Sequence, residues 1–180
     1  MNRGNGETGK RRLADSPTHR LSDSALSGDS FGAALKYALK ILGYRDRSIS
    51  ETRQKLTGKG FSKDVVDGTL AYLEEKAFID DRRLAELLMR DAVERRHYGA
   101  QGVRSYLIKR GIAKDLADAM AEADNDYPGA AMQLAEKKMR TMGHLDSVTI
   151  KRRLLGLLAR RGFTSDEIRQ VLKMLIKERE

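Results

Sequence analysis

Leu56-Thr57-Gly58-Lys59-Gly60-Phe61 returns as Leu107-Ile108-Lys109-Arg110-Gly111-Ile112 and again as Leu158-Ala159-Arg160-Arg161-Gly162-Phe163. The phrase is Leu-x-x-(Lys/Arg)-Gly-(Phe/Ile), and both intervals are 51 residues. An Asp follows each glycine by four residues, at Asp64, Asp115 and Asp166. One supersecondary unit copied three times, and stacked to bury a shared core, explains such a period. It directs attention to an extended surface rather than a single catalytic cleft.

Helical periodicity surrounds each copy. Ala34, Leu35, Ala38, Leu39 and Leu42 follow i, i+3/i+4 spacing, and Gly43 is read as the end of that helix. Ser48-x-x-Glu51 is a capping box that opens the helix bearing Leu56. Ser62 or Asp64 starts a third helix, with Val65, Val66, Thr69, Leu70 and Leu73 as its apolar stripe. The plan repeats from Asp80 or Asp81, with a helix bearing Leu84, Ala85 and Leu88, a middle helix over about residues 100–110 and a third over 114–123. Tyr127-Pro128-Gly129 is read as a break. The last unit opens with Ala131, Leu134 and Ala135, continues with Ile150, Leu154 and Leu158, and closes on a helix started by the capping box Thr164-x-x-Glu167. No segment sustains period-2 alternation, so no sheet is predicted. The expected fold is all-α, three tandem three-helix repeats forming an elongated, curved array. Its expected divisions are a disordered polar tail over residues 1–30 and repeats over 31–80, 81–127 and 128–180.

Composition agrees with that class. The chain has 180 residues, 34% of them charged and 40% hydrophobic, with two Pro and no Trp. Cysteine is absent, which excludes disulfides and thiolate metal sites. No apolar run approaches the roughly 18 residues that span a bilayer. The basic N-terminus lacks the apolar stretch of a secretory signal. The net charge is +9, and residues 128–180, with 12 basic and 6 acidic side chains, supply six of those charges. A basic face attracts nucleic acid or acidic protein surface.

The recurring phrase has a structural explanation. Gly60, Gly111 and Gly162 adopt φ > 0 at low cost, the next residue packs under the turn, and Lys59, Arg110 and Arg161 complement a helix C-terminus. It leaves the excess at Lys109-Arg110, Lys151-Arg152-Arg153 and Arg160-Arg161 unexplained. Arg95-Arg96-His97-Tyr98-Gly99, between two helices of the central unit, offers guanidiniums suited to phosphates or carboxylates. Arg53 and Arg104 hold equivalent places, and Leu155 holds that place in the third unit. The binding candidates are therefore Arg95, Arg96, Arg104, Lys109, Arg110, Lys151, Arg152, Arg153, Arg160 and Arg161. Several of the third-unit cations are expected on one helix side.

Catalytic patterns are missing. His19, His97 and His144 form no metal-ligand motif, and there is no Walker A, dinucleotide or nucleophile-elbow signature. Asp80-Asp81 reads as helix capping, and the internal methionines read as core. No catalytic residue, metal site or cofactor is expected.

Phe78-Ile79-Asp80-Asp81-Arg82-Arg83-Leu84-Ala85, then Tyr98-Gly99 and Leu107-Ile108-Lys109-Arg110-Gly111-Ile112, resembles the central signature of the RecX regulatory family. Ser48-x-x-Glu51, Leu56 and Lys59-Gly60-Phe61 fit its first repeat, and the resemblance covers about residues 32–178. It implies a cytoplasmic protein; the missing catalytic motifs add a non-enzymatic reading, the repeated apolar pattern a monomer, and the lack of a long apolar run no membrane association. Such a protein binds the RecA recombinase filament, lodges in its groove on DNA, and inhibits or modulates its ATPase, recombination and the SOS damage response. It also implies weak binding to single- or double-stranded DNA. The alternative is a direct DNA-binding protein that uses its units as helix-turn-helix modules without RecA.

Overall fold

Capping side chains and left-handed glycines set an end of most of the helices. The computed structural model describes residues 28–123 and 125–177. Among them are α1 (Gly28–Tyr44), α2 (Ile49–Gly58) and α3 (Lys63–Glu75); α4 (Asp81–Arg90), α5 (Ala100–Lys109) and α6 (Lys114–Glu122); and α7 (Tyr127–Met139), α8 (Ser147–Arg160) and α9 (Ser165–Lys177). A π-helical turn, Asp91–Arg95, extends α4, and no strand occurs among the described residues. Each set of three helices packs mutually, which gives three tandem units.

Side-chain oxygens cap the helix starts, where backbone N–H groups lack partners. Ser48 Oγ accepts from Glu51 N at 3.0 Å, Asp80 from Arg83 N at 2.9 Å, and Asp146 from Thr149 N at 2.8 Å. Thr164 and Glu167 close a reciprocal box. Glu51 does not, because its carboxylate is drawn to two arginines instead.

The three phrase glycines have φ of +95°, +77° and +81°. After each, a backbone N–H returns to the carbonyl of the phrase leucine: Phe61 to Leu56, Ile112 to Leu107 and Phe163 to Leu158. Those leucines are fully buried. The expected helix-ending turn is thus present three times.

Several local expectations are corrected. Gly43 does not end a helix with a left-handed turn; α1 runs on through Tyr44. α1 also starts at Gly28, inside the stretch assigned to the tail, while the rest of that tail lies outside the described residues. Tyr127-Pro128-Gly129 begins α7 instead of breaking the chain, because Pro is tolerated in a first turn and Asp126 caps it from Gly129 N at 2.8 Å. Met174 is exposed rather than core.

The largest correction concerns the core. Units two and three share one continuous apolar cluster, from Leu84 to Leu175. Unit one has its own, built on Ala34, Ala38, Leu56, Val65, Leu70, Leu73 and Ile79. The joint between units one and two is held by polar groups.

Candidate functional site: a basic groove between repeats

The glycine turn of each later unit lies on the start of the middle helix of the unit before it. At the first joint, a Cβ on Gly111 would lie 2.5 Å from Ser48 Oγ. Arg110 reaches Glu51 at 3.2 Å and the Asp46 carbonyl at 3.3 Å. Arg45 binds the same Glu51 carboxylate at 2.9 and 3.0 Å. Burial pushes the Glu51 carboxyl up, but the hydrogen bond from Arg45 and the charge of Arg110 outweigh it and hold it below the ordinary carboxylate range. Asp81 accepts from Ile49 N at 2.9 Å. Adjacent aspartates therefore cap two helices in two units, Asp80 for α4 and Asp81 for α2. Burial, with Glu74 and Asp80 nearby, raises the Asp81 carboxyl above its usual range despite that bond.

At the second joint the backbones meet directly. Gly99 N donates to Arg161 O at 3.0 Å, and Gln101 N donates to Gly162 O at 3.2 Å. Only glycine fits here: a Cβ on Gly99 would lie 2.5 Å from Gly162 O. The Arg161 guanidinium donates to the Arg96 carbonyl and lies 5.2 Å above the Tyr98 ring.

Between the joints opens a groove of about 730 Å³, lined by cations Arg96, Lys109, Arg110 and Arg160 and by Tyr98 and Tyr106. The two rings meet edge to face with centroids 6.0 Å apart. Arg96 lies 4.8 Å over Tyr106 and pairs with Asp91 at 2.6 Å. That hydrogen bond raises the already high Arg96 pKa, so the group stays cationic. The π-helical turn positions it: the extra residue re-aims the chain, with Arg96 N bonded to Asp91 O at 3.1 Å and Tyr98 N to Ala92 O at 2.9 Å.

The ten sequence candidates separate into groups. Arg96, Lys109, Arg110 and Arg160 line the groove, although Arg110 is tied to Glu51. Arg153 lies seven residues before Arg160, on the same side of α8. Lys151 and Arg152 lie on a different side, so the third-unit cations are divided. Arg161 is a joint residue. Arg104 is bound to Asp118, as Arg53 is bound to Asp67 in the first unit. Arg95 projects into solvent from the π-helical turn and borders a smaller cavity with His97 and Lys137.

Sequence reasoning missed Tyr106 and the setting of His97. Tyr106 stands four residues before Arg110, on the same helical side, a spacing that could have exposed it. His97 has a left-handed φ of +50°, and its Nδ1 is buried without a hydrogen-bond partner. Burial, with the charges of Lys137 and Arg161, lowers its pKa. Nothing in a lone His signals that surrounding.

Among the described residues no three His, Cys, Asp or Glu side chains gather as metal ligands. No described helix is long and apolar enough to cross a membrane. The groove offers fixed positive charge, hydrogen-bond donors and phenol rings, which suits carboxylates or phosphates.

Family models match the chain three times: RecX first three-helix domain at residues 34–73, second at 80–120 and third at 126–172. The Stenotrophomonas maltophilia protein named Regulatory protein RecX is 34% identical over 76% of this chain and 83% of its own length. The Chlorobaculum tepidum protein of that name is 31% identical over 81% and 90%. The crystal structure of RecX from Lactobacillus salivarius superposes with a TM-score of 0.73 at 23% identity, covering 82% of this chain and 97% of that one. Three matched domains in order, on a fold of three tandem three-helix units, place this chain in the RecX family of regulatory proteins.

Proposed function

We propose that this protein is a non-enzymatic cytoplasmic regulator that binds the RecA recombinase filament on DNA and restrains its ATPase and strand exchange. The observation that carries this reading is the groove between the two joints, which sets four cations against the single carboxylate of Glu51. Its Lys109 and Arg160 have no acidic partner among the described residues, and Arg96 is held by stacking beside them. Positioned cations of this kind meet acidic side chains or DNA phosphates on a filament. A monomer wedged there raises the barrier to subunit rearrangement without any bond chemistry of its own. Affinity for DNA alone is weak in this account, and no cofactor is needed.

Co-sedimentation tests it. The chain is mixed with recombinase filaments on single-stranded DNA locked with a non-hydrolysable nucleotide. It is expected to pellet with the filament at concentrations where it does not pellet with the DNA alone. Equal pelleting with bare DNA would favour direct DNA binding and sink the recombinase reading.

A further inference from the structure

We propose that the outer face of the third unit, where α8 meets α9, docks an acidic amphipathic helix of a protein partner. The repeats supply an internal control. The last helices of the units start at Lys63, Lys114 and Ser165, each 51 residues after the previous one. In that register Arg53 faces Asp67 and Arg104 faces Asp118, and both pairs form ion pairs across the groove between middle and last helix. The second-unit copy of this groove also carries the acidic Glu122. The third-unit equivalents are Leu155, Arg169 and Lys173. An internal ion pair has become an exposed leucine, and the acids of the last helix have become cations.

The neighbouring surface changes in the same sense. Ala100 and Gln101 of the second unit correspond to Lys151 and Arg152. α8 carries four cations and no acid. It is one turn longer at its start than α5, and that turn exposes Val148 by 77%. Val148 and Leu155, the latter 50% exposed, are seven residues apart and share a side, about 10 Å along the axis. Exposed apolar groups gain by meeting apolar groups, and nucleic-acid backbone offers none. The surrounding cations require acids. A helix with apolar residues seven apart and carboxylates on its flanks meets both demands. Arg169 now rests on Asp166 at 2.8 Å, an exposed contact that a partner carboxylate can replace.

The test uses the full chain and a probe, so neither arm involves a recombinase. The probe is a labelled peptide of about four helical turns, built of Glu with Leu at i, i+3 and i+7. The variant is Leu155→Arg with Arg169→Asp, which installs the ion pair the other two units already hold. Wild type is expected to bind the peptide, with the Val148 and Leu155 methyl resonances shifting, and the variant to bind about tenfold more weakly with unchanged helicity. If that variant misfolds, Arg152→Gln with Leu155→Gln replaces it, since both side chains are exposed. No peptide binding by wild type overturns the proposal. So does equal binding of polyglutamate without leucine, or an oligonucleotide that shifts the same methyls more strongly than the peptide.

Discussion

Replacing glycine by alanine at two equivalent-looking helical positions should have opposite signs. Gly102 lies in α5 and Gly156 in α8, and neither needs a left-handed backbone. Alanine stabilises a helix interior by about 1 kcal/mol relative to glycine. At Gly156 the new methyl meets only the far end of Arg160, 3.3 Å away, which can swing aside. Gly156→Ala should therefore raise the melting temperature by about 2–4 °C. At Gly102 the methyl would collide with the Arg161 carbonyl, which is backbone and fixed by the joint. Overpacking costs about 1–3 kcal/mol. Spreading the joint also weakens the Gly99–Arg161 and Gln101–Gly162 hydrogen bonds, about 1 kcal/mol each. The net for Gly102→Ala is a loss of about 2–4 kcal/mol, or roughly 5–15 °C. Thermal unfolding followed by circular dichroism reads both. A Gly102→Ala protein that melts at or above wild type would show that the second joint does not bring these backbones together.

Arg110→Gln should loosen the first joint by about 1–2 kcal/mol, since it removes a half-buried partner of Glu51. Because unit one has a separate core, hydrogen exchange should rise in α1–α3 and stay unchanged in α7–α9; a uniform rise would contradict the two-core description. His97 has a depressed pKa when folded and an ordinary one, about 6.5, when unfolded. Between these values the unfolded chain holds the extra proton, so stability rises with pH across that window and falls as pH drops through about 6.5. His97→Asn, which accepts the left-handed backbone, should flatten that part of the profile, and denaturant melts between pH 5 and 7.5 would detect a profile left unchanged.

The fold was legible because each repeated element has a local cause. Leu56, Leu107 and Leu158 fix the buried side of each middle helix, and the following glycines fix its end. Period and turn chemistry suffice for that. The joints were not legible, because they depend on what lies 59 to 65 residues away. Arg110 and Arg161 looked like helix-dipole complements or ligand contacts, and nothing local shows that each reaches into the preceding unit. Gly99 and Gly102 gave no sign of backbone contact for the same reason. Of the candidate site, the sequence exposed the cations but not their grouping. The π-helical turn that aims Arg96 follows from tertiary placement, whereas the opposite sides of α8 taken by Arg153 and Lys151 follow from helical spacing that the sequence already carried.

The most direct measurement is single-stranded-DNA-dependent ATPase of a recombinase, titrated with wild-type protein and with Lys109→Glu/Arg160→Glu. Both residues line the groove and lack acidic partners among the described residues, so the variant should keep its fold, checked by an unchanged circular dichroism melt. The account predicts suppression by wild type and a midpoint shifted upward by tenfold or more, roughly 1.4 kcal/mol, for the variant. A folded variant that suppresses the ATPase at wild-type concentrations would contradict the assignment of this groove as the filament-binding site.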